Sequence, residues 1–266
     1  MSDTTSRSLK LPTASEVIVF KDSASACRAA ANRIADVIRQ MPSPKLGLAT
    51  GSTPIPVYAE LVAMHRSGTL DSGHVHSFNL DEYYPISPLN DQSYRWFMNH
   101  HLFAHVGIPA NQAHVLDGTV PAEAADEHAA QFEHWIESSG GLDLQLLGIG
   151  RNGHIGFNEP EEMDLAKAVD LPTRRIELHP VTRADAAPAF GGLDHVPTHS
   201  LTVGTRQILK ARRVLILAFG ANKADAVAAS LQGPPTSQVP ASLLQTVADR
   251  VVWLLDEASA ARLATS

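Results

Sequence analysis

Short hydrophobic runs alternate with amphipathic segments along most of the chain. The runs at residues 17–20, 45–49, 74–80, 144–149, 213–219 and 250–255 have the length of buried strands. Hydrophobic residues recur at helical spacing over residues 23–39, 57–65, 93–103, 122–138, 221–231 and 256–264. This alternation predicts an α/β fold with a mainly parallel sheet and helices on both faces.

Residues 161–193 interrupt the alternation. Periodicity is weak over residues 161–171, a short extended segment begins at Arg174, and residues 180–193 show no regular pattern. Long stretches without regular structure inside a compact domain often form lids or binding loops. We therefore predict a lid or surface excursion in this part of the chain.

The composition is that of an ordinary soluble globular protein, with 44% hydrophobic and 18% charged residues among 266. We expect residues 1–16 to form a polar leader without the apolar core of a signal peptide. Residues 17–266 are expected to form a single domain. No apolar stretch approaches membrane-spanning length, so no membrane partner is expected.

Charge and cysteine content narrow the function further. A net charge of -7 argues against nucleic-acid binding, which needs a basic face, whereas small anionic substrates can still bind at local cations. Cys27 is the only cysteine, which excludes an internal disulfide and a CxxC metal site. A reducing, cytoplasmic location is the simplest expectation, and the chain could be a monomer or a homo-oligomer.

The most informative stretch is residues 144–160, with the sequence LQLLGIGRNGHIGFNEP. Its apolar start predicts a buried strand, and its glycines predict a turn that lets backbone and ligand approach closely. The turn carries Asn152, His154 and Glu159, which can donate, accept or transfer protons. Ligands of open α/β sheets bind beyond the carboxyl ends of strands, so the turn is a candidate site. The alternative is a glycine turn whose histidine only hydrogen-bonds a neighbouring carbonyl.

A second candidate site follows the strand predicted at residues 45–49. Its residues are Thr50, Gly51, Ser52 and Thr53, followed by Pro54 and a helix. Free backbone N–H groups at a helix start, together with the helix dipole, stabilise a phosphate without needing a lysine. The alternative is a plain helix cap with proline in the first turn.

Charged residues mark two further strand ends. Asp81 and Glu82 follow the strand at residues 74–80, and Lys223 lies in the first turn of the helix after the strand at residues 213–219. Asp81 is the natural candidate for a general base, although either carboxylate could instead cap a following turn. The aromatic residues of the next helix, expected in the core, are Tyr94, Trp96, Phe97 and Phe103.

Seven motifs in this chain give it a family resemblance. They are ATGSTP, FNLDEYY, QSYRWFM, LGIGRNGHIGFNEP, SLTVG, GANKADA and PASLLQ. Their order and spacing over about residues 17–257 strongly resemble those of glucosamine-6-phosphate deaminases. The resemblance implies a three-layer α/β domain of modified Rossmann type. It also implies conversion of glucosamine 6-phosphate and water to fructose 6-phosphate and ammonia, in amino-sugar catabolism, without metal or other cofactor.

The resemblance also implies roles for particular residues. Asp81 matches the base that moves a proton between C2 and C1, and His154 matches the group that opens the sugar ring. Asn152 and Glu159 match the residues that orient this histidine. Residues matching the phosphate site are Thr50, Gly51, Ser52, Thr53 and Lys223.

The sequence departs from the family in its phosphate-binding residues. Family members usually have an arginine before a Phe pair, in the segment that corresponds to residues 186–190, and this sequence has none there. Either Arg206 or Arg183 could supply the charge from another backbone position. The chain is also expected to lack the longer C-terminal tail that contributes to the activator site in allosteric members.

Three other functions remain as alternatives. A 6-phosphogluconolactonase would share the fold, but its loop continues after Gly-His with Thr-Ala-Ser, whereas this chain has Ile155 and Gly156. A deaminase of galactosamine 6-phosphate or a related amino sugar remains open because of the missing arginine. A sugar-phosphate sensor would need a DNA-binding segment, for which the sequence shows no spare region.

Overall fold

A computed structural model describes residues 6–9 and 15–264. The strands are β1 (Ser6–Leu9), β2 (Glu16–Phe20), β3 (Lys45–Leu48), β4 (His76–Asn79), β5 (Asp81–Tyr84), β6 (Ala113–His114), β7 (Leu144–Gly148), β8 (Arg174–Glu177), β9 (His199–Thr202), β10 (Val214–Ala218) and β11 (Val251–Asp256). The helices are α1 (Ser23–Gln40), α2 (Ile55–Arg66), α3 (Tyr94–His101), α4 (Ala125–Ser138), α5 (Leu165–Ala168), α6 (Pro180–Ala186), α7 (Thr205–Lys210) and α8 (Ala224–Gln232).

Eight strands form the main sheet in the order β1-β2-β11-β10-β7-β3-β4-β6. Strand β1 is antiparallel to β2, and the other neighbours are parallel. The predicted α/β fold with a mainly parallel sheet is confirmed. Because β10, β7, β3 and β4 are adjacent and parallel, the loops that follow these four strands meet at one edge of the sheet.

Hydrophobic packing covers both faces of the main sheet, which explains why β10 is apolar throughout and β7 is apolar except for the buried Gln145. In β10, Leu215 and Leu217 pack with α1, α2 and α3 on one face, whereas Val214 and Ile216 pack with α4, α7 and α8 on the other. Trp253 of β11 is fully buried on the second face. The sheet and its two helical layers give the three-layer arrangement expected from the sequence.

A small second sheet lies next to the carboxyl edge of the main one. Its antiparallel strands have the order β5-β9-β8, and Asp81 of β5 pairs with Thr202 of β9. Strand β5 begins directly after Leu80, which follows β4, so the chain passes from one sheet into the other at Asp81. Tyr83, Phe157 and Leu178 form a small hydrophobic core beneath this sheet.

Two segments differ from the sequence predictions. Residues 180–193 were predicted to be irregular, but they begin with α6, in which Pro180 occupies the first turn and His179 caps the Val181 N–H. Residues 256–264 were predicted to be a helix, but they form turns in which Asp256 accepts a hydrogen bond from the Ser259 N–H. The first prediction failed because seven residues are too few to show helical periodicity.

The predicted leader, residues 1–16, lies mostly outside the described residues; its described part includes β1. Within the part of the chain that the structure describes, no helix combines the length and apolarity required to cross a bilayer.

Candidate active site

The loops after β3, β4, β7 and β10 surround a cavity of about 290 Å³ at the carboxyl edge of the sheet. This position is where open α/β sheets place their ligands. Of the residues singled out in the sequence, those that line the cavity are Thr50, Gly51, Ser52, Thr53, Asp81, His154 and Lys223. The sheet topology therefore brings together residues that are distant in sequence, such as Thr50 and Lys223, which are 173 positions apart.

Asp81 is a buried carboxylate in the cavity wall, with 5% of its surface exposed. Burial, and secondarily the adjacent Glu82 carboxylate, raise the pKa of Asp81 well above its ordinary value. No described residue donates a hydrogen bond to the Asp81 carboxylate that would lower its pKa. Its carboxylate is therefore left to interact with whatever enters the cavity.

Glu82 has a structural role that distinguishes it from Asp81. Its carboxylate accepts hydrogen bonds from the Tyr83 N–H, the Ser93 hydroxyl, and the Tyr94 and Arg95 N–H groups, at 2.7 to 3.0 Å. Three of these donors lie at the start of α3, where N–H groups lack intrahelical partners. Of the two carboxylates that could cap a turn, Glu82 does so and Asp81 does not.

His154 belongs to a hydrogen-bond network centred on Glu159. The His154 Nδ1 lies 3.2 Å from Glu159 Oε2, the Asn152 amide donates to the same oxygen at 3.0 Å, and the Thr182 hydroxyl donates to Oε1 at 2.5 Å. The Asn152 side-chain oxygen also accepts from the His154 backbone N–H at 3.3 Å. Asn152 and Glu159 thus lie behind His154, which alone of the three lines the cavity.

The charge on Glu159 determines which nitrogen of His154 carries the proton. Burial alone would raise the pKa of Glu159, but hydrogen bonds from His154, Thr182 and Asn152 together lower it below its ordinary value. An ionised carboxylate only accepts hydrogen bonds, so Nδ1 of His154 carries a hydrogen and Nε2 of the neutral ring is an acceptor. The ring is therefore held in one tautomer.

Glycines in the loop after β7 make room for this arrangement. A Cβ atom at Gly150 would lie 2.4 Å from the His154 ring, so no larger residue fits beside the histidine. At Gly156 the backbone has φ +57°, and a Cβ atom there would lie 3.5 Å from the Asp81 carboxylate. The loop after β7 consequently passes directly against Asp81.

Residues 50–53 form the turn that leads into α2. No side chain caps the first turn of this helix, although Thr50, Ser52 and Thr53 all lie nearby. Pro54 and Pro56 have no N–H group, and no residue of α2 lines the cavity, so the backbone donors available to a ligand are those of the turn itself, at Gly51, Ser52 and Thr53. The plain side-chain cap considered in the sequence is thus absent at α2 in the described structure, and the arrangement suits an anion.

Besides Asp81, the charged side chains that line the cavity are Arg151, Asp185 and Lys223. The Arg151 guanidinium pairs with both carboxylate oxygens of Asp185, through Nε and a terminal nitrogen, each at 2.9 Å. Burial lowers the pKa of Lys223, while the Asp185 carboxylate raises it and the Arg151 guanidinium lowers it. These groups are therefore close enough to influence one another electrostatically.

The sequence suggested two arginines that could take the place of the missing family arginine, and neither of them lines the cavity. Arg206, on α7, pairs with Asp170 at 2.7 Å and with Glu133 at 3.1 Å. Arg183, on α6, donates to the carbonyls of Leu193 and Val196. The structure does not bring either guanidinium to the cavity, because acceptors distant in sequence hold each of them elsewhere.

Several residues that line the cavity were not predicted from the sequence. Tyr94 was expected in the core with the other aromatic residues of its helix, but it lines the cavity beside Tyr83, with ring centroids 5.0 Å apart. Arg151, Thr182 and Asp185 also line the cavity. Arg151 lies within the GIGRNGHIGFNEP motif, which could have signalled it, whereas Thr182 and Asp185 lie in a segment that showed no pattern.

The fold and cavity define an α/β protein in which a buried carboxylate, a histidine and a small polar turn line one cavity at the sheet edge. A family model described as glucosamine-6-phosphate isomerases/6-phosphogluconolactonase matches residues 21–253. The chain belongs to this family, and the resemblance seen in the sequence is confirmed.

Individual relatives agree with this assignment. Glucosamine-6-phosphate deaminase 2 of Giardia intestinalis is 45% identical over 248 residues, which cover 92% of this chain and 91% of that protein. Glucosamine-6-phosphate deaminase of Cellvibrio japonicus is 43% identical over 250 residues, covering 93% and 91%. The solved structure of a monomeric glucosamine-6-phosphate deaminase is 35% identical with a TM-score of 0.87, covering 93% of this chain and 99% of that one.

A solved structure of lower sequence identity shares the fold. The 6-phosphogluconolactonase from Trypanosoma brucei is 20% identical, with a TM-score of 0.74, covering 96% of this chain and 100% of that one. At this identity the likeness concerns the fold alone.

Proposed function

We propose that this protein is a deaminase that converts glucosamine 6-phosphate and water to fructose 6-phosphate and ammonia. One observation carries the proposal. The Asp81 carboxylate, which has no hydrogen-bond donor among the described residues, and the oriented imidazole of His154 line the same cavity as the turn at residues 50–53. The relatives named as glucosamine-6-phosphate deaminases support the choice of substrate.

His154 acts on ring opening in this proposal. Opening a pyranose moves a proton from the C1 hydroxyl to the ring oxygen, which requires a group that both accepts and donates protons near neutral pH. With Nδ1 bonded to Glu159, the Nε2 atom of His154 is the acceptor on the ring. The Glu159 charge stabilises the imidazolium that forms before the proton is returned to the ring oxygen.

Asp81 acts on the open-chain sugar. Its carboxylate removes the proton from C2 while the substrate's ammonium group gives a proton to the C1 oxygen, which forms an enolamine. Asp81 then returns its proton to C1, leaving an alcohol at C1 and an iminium at C2. Water then adds to the iminium carbon, and ammonia leaves to give the ketone of fructose 6-phosphate. The raised pKa of the buried Asp81 carboxyl makes it a stronger base than an exposed aspartate.

The phosphate is anchored away from the reacting carbons. A phosphate monoester carries a charge of roughly −1.5 to −2 near neutral pH, which suits the N–H and hydroxyl groups of the turn at residues 50–53 and the ammonium of Lys223. The proposed partner is thus a small sugar phosphate. The proposal also includes a cytoplasmic location and a single catalytic unit over residues 17–266, consistent with one buried cysteine, Cys27, and one shared sheet edge.

Measuring ammonia release against a panel of sugars tests this function. The panel comprises the 6-phosphates of glucosamine, galactosamine and mannosamine, unphosphorylated glucosamine, and 6-phosphogluconolactone assayed for hydrolysis. We expect stoichiometric ammonia and fructose 6-phosphate from glucosamine 6-phosphate and much slower release from glucosamine. Faster turnover of another amino-sugar phosphate would correct the substrate, and lactone hydrolysis without ammonia release would contradict the proposal.

A further inference from the structure

Arg151 and Asp185 form a two-point ion pair at the edge of the cavity. Both contacts are 2.9 Å long, and the two side chains are about half exposed, at 49% and 52%. The pair joins the loop after β7 to helix α6, which lie 34 residues apart in sequence. Both residues line the cavity together with Lys223 and the turn at residues 50–53.

The positive charges around the cavity do not match the charge of a phosphate monoester while the ion pair is closed. Among the residues that line the cavity, Arg151 and Lys223 carry the permanent positive charges. Asp185 pairs with Arg151 and so cancels one of them, and the Asp81 carboxylate adds no positive charge. A phosphate monoester with nearly two negative charges would meet only one uncompensated cation while the ion pair stays closed. If Arg151 turns to the ligand, two cations face the phosphate.

We propose that Arg151 is the second cation of the phosphate site, and that Asp185 holds its guanidinium at the cavity edge until the phosphate takes over the interaction. This inference rests on the proposed function, because it assumes a phosphorylated substrate. It gives the guanidinium a binding role that Arg206 and Arg183 cannot fill, since those side chains are held elsewhere.

The chemistry of the guanidinium favours the exchange. Its planar donor fork binds two oxygens of a phosphate in the way it now binds two oxygens of Asp185. A carboxylate carries a single charge, whereas a phosphate carries more charge and also gains the donors of the turn at residues 50–53 and Lys223. An ion pair this exposed contributes little net stability, so its opening opposes ligand binding only weakly.

Binding of glucitol 6-phosphate, measured by calorimetry, tests the role of Arg151. This ligand has no carbonyl or amine and therefore does not react, and unphosphorylated glucitol shows how much of the affinity the phosphate supplies. We expect Arg151→Ala to weaken glucitol 6-phosphate binding by about 10- to 100-fold, the usual effect of losing a charge-assisted bond. Arg151→Lys should fall between the parent and Arg151→Ala because it keeps the charge but loses the two-point contact.

Asp185→Asn tests the competition. Removing the competing charge should tighten glucitol 6-phosphate binding by about two- to fivefold, as expected for an exposed ion pair. Matched controls come from the Arg33–Glu16 pair, which has a 3.0 Å contact and exposed fractions of 39% and 48%, and neither residue lines the cavity. Arg33→Ala and Glu16→Gln should leave binding within twofold of the parent.

Arg151→Ala binding within twofold of the parent would overturn the role of Arg151, and weaker binding by Asp185→Asn would overturn the competition. The proposed function is judged separately, by ammonia release from the unaltered protein. A parent that releases ammonia while Arg151→Ala keeps its affinity refutes this inference alone. A parent that binds glucitol 6-phosphate through Arg151 but releases no ammonia refutes the proposed function alone.

Discussion

Replacing Glu159 by glutamine removes the charge behind His154 and preserves the shape of the side chain. Glu159 now receives hydrogen bonds from the His154 ring, Asn152 and Thr182, all of which point donors at it. A glutamine has one acceptor oxygen and one NH2 group: in one orientation the NH2 faces the His154 ring and Asn152, and in the other it donates to the Thr182 hydroxyl. Neither orientation keeps the negative charge, so the ring is held less firmly than by the carboxylate. We expect the imidazole to lose its fixed tautomer.

The size of the effect follows from the lost charge-assisted bond. Such a bond contributes roughly 1.5 to 3 kcal/mol, and each 1.36 kcal/mol corresponds to about a factor of ten in rate. Glu159→Gln should therefore lower kcat/KM for the cyclic substrate by about 10- to 100-fold. Binding of glucitol 6-phosphate should change little, because Glu159 lies behind His154 and outside the cavity lining.

Two measurements check this expectation. Initial rates of ammonia release give kcat/KM, and nitrogen NMR of the His154 ring reports whether Nδ1 carries the hydrogen. Glu161→Gln is the matched control, because it removes an exposed carboxylate two residues along the chain. A Glu159→Gln variant with kcat/KM within twofold of the parent and an unchanged tautomer would refute the role assigned to Glu159.

Two further predictions concern the phosphate and the base. Lys223→Ala should raise KM by about one to two decades with a smaller change in kcat, because it removes a charge-assisted contact to the phosphate; initial rates with KM unchanged would contradict this. Because burial raises the pKa of Asp81 and the base acts ionised, kcat/KM should fall with decreasing pH well above the range of an ordinary aspartate. A pH profile that stays flat down to about pH 4 would contradict that assignment.

The fold was predictable because strong local patterns specify it. Strands β3, β7 and β10 are buried on both faces, so they read as largely apolar runs in the local sequence, with Gln145 as the buried polar exception in β7. Helix α6 could not be recognised, since it has seven residues and only Thr182 among them is buried. Asp81 was correctly expected to follow a strand, but its place at the start of a second sheet depends on pairing with Thr202.

The arrangement of charges around the cavity was less predictable. Long side chains reach partners that local sequence does not identify, as the pairing of Arg206 with Glu133 shows. Arg151 lies in a motif that could place it near the cavity, but its pairing with Asp185 depends on the position of α6. Similarly, the sequence presents Asp81 and Glu82 as equivalent neighbours, and only the start of α3 shows which carboxylate is bonded.

The role of Asp81 in proton transfer is the central claim, and solvent exchange at C2 of glucosamine 6-phosphate tests it most directly. The reaction is run in deuterium oxide, and NMR follows deuterium entering at C2 of recovered substrate and at C1 of the product. Asp81→Asn keeps the size of the side chain but removes the base, so we expect exchange to be abolished while glucitol 6-phosphate binding stays within a few-fold of the parent. Exchange that persists at the parent rate in a folded, ligand-binding Asp81→Asn variant would contradict the account.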